Sequence, residues 1–280
     1  MDQHHDTTMD TESVELLTEA MRKTMLAASG AELDAALRDL GWLDMLDETP
    51  DTAIPLVFKL LGETGAHAPV VNDVVLQAAG RPVGETVPLP FAGGAWVLWD
   101  RPHRSDRPDR EDHPDHPTDV LDPELPLRRA PGGDPVPLAA GRRALGWWLA
   151  GTARAMLGLA RTHALDRVQF GRKVASFQAI RHRLAETLVA IEGAEATLAA
   201  ATDDLGCLLA KAAAGQAALT AARHCQQVLG GIGFTAEHDL HRHIRRALVL
   251  DGLLGSSREL IRQAGAAVRD QGSTPRLVSL

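Results

Sequence analysis

The residues of this chain best suited to bind a ligand lie in a turn between two helical stretches. Arg167, Gln169 and Phe170 occupy the turn, and Gln178 opens the helical stretch that follows. A guanidinium group binds a phosphate through paired hydrogen bonds, and it also stacks on flat rings. An arginine at a helix end can equally cap free carbonyl groups beside a buried phenylalanine. Taken alone, the turn fits either a phosphate-bearing ligand or a structural role.

A second, glycine-rich segment begins at Gln227, 60 residues after Arg167. It continues with Gly230, Gly231 and Gly233. Glycines let backbone N–H groups approach a pyrophosphate without obstruction by side chains. A plain helix C-cap followed by a turn has the same composition. Because no strand precedes the segment, it is not the phosphate-binding turn of a Rossmann fold.

Long helices must position both segments. Apolar residues recur at three- and four-residue steps over residues 138–165, 176–202 and 205–229, and shorter helices are predicted over 237–253 and 257–269. Long helices joined by short loops predict an up-down helical bundle.

The rest of the chain divides at prolines and glycines. The predicted organisation is a disordered tail over residues 1–12, an N-terminal helical domain over 13–80, a reduced β segment with a proline- and charge-rich loop over 81–137, and the helical bundle over 138–280. In the N-terminal domain, helices are expected to break at Gly30 and Gly41, to resume at Asp51 and Pro69, and to end by Gly80. Residues 87–91 and 95–99 predict a pair of short strands.

Composition excludes several classes of protein. A formal net charge of −8 argues against a general nucleic-acid-binding protein. No apolar run looks long enough to cross a bilayer, and the polar start lacks the apolar block of a signal peptide. The two cysteines, Cys207 and Cys225, lie in helical stretches without a Cys-x-x-Cys pattern. We therefore expect no disulfide framework, and we expect a reducing cytoplasm as the compartment.

Histidines offer two further candidate metal sites, and we expect neither to bind metal. His113 and His116 lie among aspartates in the proline-rich loop, where we expect a solvated segment. His238 and His241 lie about one helical turn apart after the glycine segment. We interpret these two as structural.

The two segments, in this order and at this spacing, resemble the C-terminal helical domain of acyl-CoA dehydrogenases. The resemblance covers residues 138–270, and residues 13–80 resemble a shortened N-terminal helical domain of that family. It implies a mainly α fold: a helical domain, a small β-domain and a C-terminal four-helix bundle. It also implies that FAD lies across a subunit interface. The residues implied to contact a neighbour's FAD are Arg167, Gln169, Phe170, Gln178, Gln227, Gly230 and Gly231. Arg142 or Arg143 falls near the family's arginine beside the thioester.

The chain departs from the family where the catalytic base is expected. Counting forward from the glycine segment places Leu254 at the family's glutamate position, and a leucine cannot accept a proton. The alternative base position holds Gly141. Asp251, one turn before Leu254, is the remaining candidate base, although a surface aspartate on a helix explains it as well. In addition, only about 55 residues replace a β-domain of about 100 residues.

Three functions remain open from the sequence. The first is the degenerate subunit of a heteromeric α2β2 acyl-CoA dehydrogenase, whose catalytically complete partner supplies the base and the flavin-ring pocket. The run from Gly233 to Leu248 resembles the branch of actinobacterial sterol side-chain breakdown, which implies a bulky, steroid-derived CoA thioester. The second is a structural subunit that touches no flavin. The third is a self-sufficient homo-oligomer that uses Asp251 as its base.

Overall fold

Helix-breaking residues divide the N-terminal part into five helices. The computed structural model describes residues 11–101 and 121–272. Residues 1–10 of the predicted tail, most of the proline-rich loop with His113 and His116, and residues 273–280 lie outside that range. The helices are α1 (Thr11–Ala27), α2 (Gly30–Asp39), α3 (Trp42–Glu48), α4 (Pro50–Thr64) and α5 (Val71–Ala78).

Two glycines in the left-handed region set the turns of this helical unit. Gly41 (φ +82°) separates α2 from α3, and Gly65 (φ +74°) ends α4. Side chains other than glycine rarely adopt this conformation, so glycine is the residue that closes these helices. The sequence predicted the break at Gly41 but not the seven-residue helix α3 that follows it.

Three short antiparallel strands follow the helical unit. They are β1 (Leu89–Phe91), β2 (Ala95–Trp99) and β3 (Leu127–Ala130), in the order β1-β2-β3. The predicted pair of strands is present, with Leu89 opposite Val97. The third strand was not predicted, because its pairing of Leu98 with Arg128 joins residues far apart in the chain.

The C-terminal part consists of three long helices and two shorter ones. The elements are α6 (Ala139–Asp166), β4 (Val168–Gln169), β5 (Arg172–Lys173), α7 (Gln178–Ala200), α8 (Asp204–Leu229), α9 (Leu240–Gly252) and α10 (Ser257–Gln271). Helix α8 is central and packs against α6, α7, α9 and α10. The mainly helical fold class is therefore confirmed.

An aromatic cluster joins the helical unit, the sheet and the bundle. Trp42, Phe58, Trp99 and Trp148 are each fully buried and come from α3, α4, β2 and α6. The Trp99 and Trp148 rings stack with centroids 5.7 Å apart, and Phe58 meets Trp148 edge-on at 5.9 Å. Such contacts add to the free energy of burial. The cluster fixes the N-terminal helices and the sheet against α6.

Buried arginines fix the chain on both sides of residues 102–120. Arg101 binds Asp34 and Asp73 at distances of 2.7 to 2.9 Å. Arg246 binds Asp122 at 2.5 Å. Because each guanidinium is almost fully buried with its carboxylates, removing one partner would leave an uncompensated charge.

One stretch of the bundle is long and apolar enough to pass a simple test for a membrane span. It covers Asp204–Phe234, and 61% of its most apolar part is buried inside the protein. The sequence-based expectation that no such run exists was therefore wrong. A core helix of a helical bundle has the same length and composition.

Candidate functional site

The helical topology brings the two predicted ligand-binding segments to one end of the bundle. Helix α6 ends where α7 begins, and α8 runs antiparallel to α7. Thr187, near the middle of α7, lies 3.0 Å from the Nδ1 atom of His224, near the end of α8, and one cavity is lined by both Arg167 and Ile232. The loops 167–177 and 230–239 therefore lie side by side, and we call them the end loops.

The first end loop is a tight hairpin that projects Phe170 into solvent. Gln169 in β4 pairs with Arg172 in β5. Between them, Phe170 (φ +53°) and Gly171 (φ +76°) both adopt the left-handed conformation of a two-residue hairpin turn. Phe170 is 91% exposed. A non-glycine residue held in this conformation is strained, and such strain is common at functional sites.

Aromatic and cationic side chains cover the same loop. The Phe170 and Phe177 rings meet edge-on at 6.2 Å, and the Arg172 guanidinium lies 4.1 Å from the centre of the Phe177 ring. Gln178 is exposed, with its Nε2 atom 3.3 Å from the His182 ring. Arg167 is exposed and forms no ion pair with the described residues.

The second end loop leaves space above its first two glycines. Gln227 is exposed, and its carbonyl accepts a hydrogen bond from the N–H of Gly230. A Cβ atom on Gly230 or Gly231 would meet nothing within 4 Å, and Gly230 has a φ of +65°. Gly233 differs, because a Cβ there would lie 2.7 Å from the carbonyl oxygen of Gln226. The first two glycines thus keep an open surface, whereas the third allows close packing.

A cavity of about 660 Å³ lies between the end loops, α4, α6 and α9. Arg167 is the one predicted cofactor residue that lines it, together with Ile232 of the second end loop. Three histidines also line it, and they are His163, His238 and His243. Burial, then the nearby Arg246 and Arg242, lowers the pKa of His243 to about 4. Burial also lowers the pKa of His163. The rings of His163 and His243 are therefore neutral at neutral pH.

The predicted substrate and base residues lie elsewhere. Arg142 is in the first turn of α6, and Arg167 follows its last residue, so the two are about 37 Å apart along the helix. The Arg142 Nε atom donates to the Leu254 carbonyl oxygen at 3.2 Å. The structure thus separates the predicted cofactor residues from the predicted substrate and base positions.

Leu254 is buried in an apolar position. It is 1% exposed and adopts a left-handed conformation with φ of +58°. Its N–H donates to the Pro90 carbonyl oxygen at 2.8 Å, which attaches the turn to strand β1. Its Cδ1 atom lies 2.9 Å from the point where a Cβ on Gly141 would stand, and Val75 approaches the same point at 2.8 Å. The position at which the resemblance implies a base is therefore filled by hydrocarbon.

Asp251 has a structural partner. Its Oδ1 atom accepts a hydrogen bond from the Ser257 N–H at 3.1 Å, at the start of α10. The same atom lies 2.2 Å from where a Cβ on Gly215 would stand, so the carboxylate is pressed against α8. This arrangement caps α10 and leaves Asp251 little freedom to act as a base.

Two residues with unusual environments were not identified from the sequence. Lys211 is fully buried in α8, where a lone lysine in an alanine-rich helix matches no motif. Glu259 forms a capping box with Ser256, and its Oε1 atom accepts the Gly93 N–H at 2.8 Å. The Ser-x-x-Glu spacing could have revealed the capping box. The contact with Gly93 could not have been foreseen.

The histidines after the glycine segment have structural contacts. The His238 Nδ1 atom accepts from the Leu240 N–H at 3.1 Å, and His241 Nδ1 lies 2.8 Å from the His238 carbonyl oxygen. Among the described residues, no group of three potential ligands could hold a metal ion.

Residues 136–268 match the family profile of the acyl-CoA dehydrogenase C-terminal domain. This chain carries an acyl-CoA dehydrogenase C-terminal domain. The match covers the helices that form both end loops, and it includes Arg142, Asp251 and Leu254.

Curated relatives share this dehydrogenase domain. Acyl-CoA dehydrogenase FadE34 of Mycobacterium tuberculosis is 42% identical over 127 residues, which are 42% of this chain and 18% of that protein. Acyl-CoA dehydrogenase IpdE2 of the same organism is 40% identical over 121 residues, or 42% of this chain and 38% of that protein. The chain thus aligns with well under half the length of these relatives.

Solved structures share the fold over almost the whole chain. One is a variant of the Tcur3481-Tcur3483 steroid ACAD, with a TM-score of 0.69 and 18% identity over 94% of this chain and 99% of that chain. Another is the ChsE4-ChsE5 complex from Mycobacterium tuberculosis, with a TM-score of 0.60 and 18% identity over 96% of this chain and 99% of that chain. At this identity, the likeness establishes the fold.

The end loops of the domain fit the nucleotide end of FAD, the cofactor of acyl-CoA dehydrogenases. Gly230 and Gly231 leave open space where a pyrophosphate can approach the backbone. Arg167 offers a guanidinium without an ion-pair partner among the described residues, and Phe170 offers an exposed ring. These groups supply phosphate binding and stacking, which a dinucleotide tail requires.

Proposed function

We propose that this chain is the non-catalytic subunit of a heteromeric, FAD-dependent acyl-CoA dehydrogenase. It contributes the end loops to an FAD whose flavin ring lies in a catalytically complete partner. The partner supplies the carboxylate base, and the assembly contains two copies of each chain. Its compartment is the cytoplasm.

The buried side chain of Leu254 is the observation that carries this proposal. Dehydrogenation of an acyl-CoA requires a base that removes a proton next to the thioester carbonyl. At the aligned position this chain has a buried leucine, whose Cδ1 atom lies 2.9 Å from where a Cβ on Gly141 would stand. Arg142, which the resemblance places near the thioester, donates to the Leu254 carbonyl instead. The chain therefore keeps the fold of the site without its proton acceptor.

The surface of the end loops supports a shared cofactor. Large apolar side chains that are substantially exposed lie there and in the adjoining last turn of α6, and they are Leu165, Val168, Phe170, Ile232 and Phe234. Exposed apolar patches of this kind mark interfaces. The cationic side chains of Arg167, Arg172 and Lys173 lie in the same loop, although the whole chain has a net charge of −8. Such a surface suits both a second subunit and an anionic tail.

Each predicted cofactor-binding residue has a defined role in the proposal. Arg167 binds the pyrophosphate, and Gln169, Gln178 and Gln227 donate or accept hydrogen bonds at the nucleotide end. Phe170 provides a stacking surface, and Gly230 and Gly231 admit the phosphates to the backbone. When bound, FAD accepts a hydride from the substrate.

The proposed substrate is a steroid-derived CoA thioester. Support comes from the fold shared with a steroid ACAD made of two named proteins and with the two-protein ChsE4-ChsE5 complex. This substrate class rests on the fold shared with those two complexes. An activity assay of the assembled complex should therefore compare a steroid-derived CoA thioester with a straight-chain one.

Co-expression with a dehydrogenase-like genomic neighbour tests the proposal. A yellow complex should form, and Arg167→Ala should reduce its flavin content strongly. Arg258→Ala is the matched control, because Arg258 is an exposed arginine at the start of α10, beside the Leu254 turn. Full retention of flavin after Arg167→Ala contradicts the proposal.

The alternative function is a structural subunit that contacts no flavin. The tight attachment of the sheet to the bundle through Leu254 and Glu259 favours a stable scaffold in either case. The two functions differ in one result. For a scaffold, the flavin content of the complex is the same with Arg167→Ala and with Arg258→Ala.

A further inference from the structure

A buried lysine lies beneath the turn that carries Leu254. Lys211 of α8 is fully buried, and its Nζ atom donates to the carbonyl oxygen of Asp251 at 2.6 Å and to that of Gly255. These two carbonyls flank Leu254. The side chain thus bridges the end of α9 and the turn before α10.

The surroundings of Lys211 suit a neutral amine. A neutral amine has two N–H groups, and two carbonyl oxygens accept from Nζ. Burial lowers the pKa of Lys211 to about 7. Among the charged groups that face it, Asp251 of α9 and Glu259 of α10 raise the pKa, whereas Arg142 of α6 lowers it. Burial is the largest of these effects.

The turn held by Lys211 also holds other parts of the protein. The Leu254 N–H donates to Pro90 of β1, and the Phe91 ring lies 2.5 Å from where a Cβ on Gly252 would stand. The Gly93 N–H donates to Glu259, one turn into α10. Movement of the turn would therefore release both the Leu254 side chain and the β1–β2 hairpin.

We propose that Lys211 is a neutral amine while the 251–255 turn is closed, and that its protonation controls the opening of this turn. We call the contact of Lys211 with the Asp251 and Gly255 carbonyls the latch. Protonation of Lys211 favours opening of the 251–255 turn, in which Leu254 leaves Gly141 and the β1–β2 hairpin detaches from the bundle. The latch depends on the described contacts alone, so it is independent of whether the end loops bind FAD.

The direction of the pH effect follows from the two states of the lysine. In the closed turn the neutral form is favoured, and in the open turn a hydrated lysine has its ordinary pKa of about 10.4. Opening therefore takes up one proton between pH ~7 and ~10. Over this range the open population rises about tenfold for each unit by which the pH falls.

Hydrogen exchange at the turn gives a sharp test in the full-length chain. Exchange of an ordinary protected amide accelerates about tenfold per pH unit, because hydroxide catalyses it. At Leu254 and Gly255, the falling open population should cancel this acceleration, so the exchange rate should stay nearly constant between pH ~7.5 and ~9. Exchange at these amides that accelerates like the rest of the protein would overturn the proposal.

Lys211→Met removes the titrating group and should restore the ordinary tenfold acceleration at the turn. Lys23→Met is the matched control, because Lys23 is an exposed lysine of α1. In this variant the exchange rate at Leu254 and Gly255 should stay constant, as in the unchanged protein. If Lys211→Met also gives a constant rate, protonation of Lys211 does not control the opening of the turn.

The wild-type protein offers a second test that no folding defect can obscure. The chain has four lysines, Lys23, Lys59, Lys173 and Lys211, so ¹³C-labelled lysine gives a simple NMR spectrum. One Cε resonance should titrate near neutral pH, roughly three units below the ordinary lysine value of about 10.4. Four lysine resonances that all titrate above pH ~9.5 would overturn the proposal.

Discussion

The Cδ1 atom of Leu254 lies 2.9 Å from the point where a Cβ atom would stand on Gly141. These are the two positions at which the resemblance to acyl-CoA dehydrogenases places a catalytic base. One has no side chain, and the other fills the space with an apolar one. The contact joins the first turn of α6 to the turn between α9 and α10, and it leaves no room for a substrate thioester at that point.

Replacing Leu254 by glutamate should weaken the fold without creating a second active site. A carboxylate buried among apolar groups should cost about 3 kcal/mol or more in free energy of unfolding. Urea unfolding measures this cost, and turnover per bound flavin in the complex should not increase. Leu254→Met is the control and should cost under about 1.5 kcal/mol. A gain in turnover with Leu254→Glu would show that a substrate reaches this position.

Replacing two glycines of α6 by alanine should change the stability of the protein in opposite directions. A Cβ on Gly151 would lie 2.1 Å from the Lys59 carbonyl oxygen of α4, whereas a Cβ on Gly158 would meet nothing within 4 Å. Gly151→Ala should therefore destabilise the protein by about 1–3 kcal/mol. Gly158→Ala should stabilise it by up to about 1 kcal/mol through helix propensity. Equal effects in thermal unfolding would contradict the close crossing of α4 and α6.

The attachment of the β1–β2 hairpin should weaken in acid. The backbone N–H groups of Gly93 and Ser256, and then the Ser256 hydroxyl, lower the pKa of Glu259 to about 2. Its contribution to stability is present above the unfolded value of about 4.3 and is lost as the pH falls towards 2. Hydrogen exchange of the Gly93 amide should report this loss. Glu259→Gln should flatten the pH dependence of exchange at Gly93. Glu237 is exposed, and Glu237→Gln should leave that pH dependence unchanged.

A second acid-sensitive group lies in the cavity beside the end loops. Burial lowers the pKa of His243 to about 4, so the unfolded chain binds its proton first as the pH falls. Stability should therefore decrease between pH ~6.5 and ~4. His243→Leu should reduce this slope in urea unfolding. It should not abolish the slope, because burial lowers the pKa of His67 to about 4 as well.

The exposed His182 provides the control for that measurement. His182→Leu on α7 should leave the slope between pH ~6.5 and ~4 unchanged. If His243→Leu behaves in the same way, the His243 ring is not buried as the cavity geometry requires.

Periodicity predicted the long helices well because they carry strong local signals. The predicted helix over 205–229 and α8 (Asp204–Leu229) differ by one residue at the start, and glycine ends both. Helix α3 was missed because seven residues give less than two full turns of pattern. Strand β3 was missed because its partner β2 precedes a long intervening segment, and such pairing has no local signature.

Motif reasoning located the candidate site only in part. The spacing of Arg167 and Gly230 identified two segments, and the antiparallel topology then placed them together. Counting along the sequence from the glycine segment also predicted a leucine where the resemblance implies a base. It could not reveal that Leu254 adopts a left-handed conformation against Gly141, or that Lys211 lies below it. Both facts depend on contacts among α6, α8 and the turn after α9.

The flavin content of the assembled complex tests the central claim most directly. The complex with the partner should contain one FAD for each pair of unlike chains, measured by visible absorbance against the amount of each chain. Arg167→Ala should lose most of that FAD, and Arg258→Ala should retain it. One FAD for every chain, or a full complement of FAD in this chain purified alone, would contradict the account.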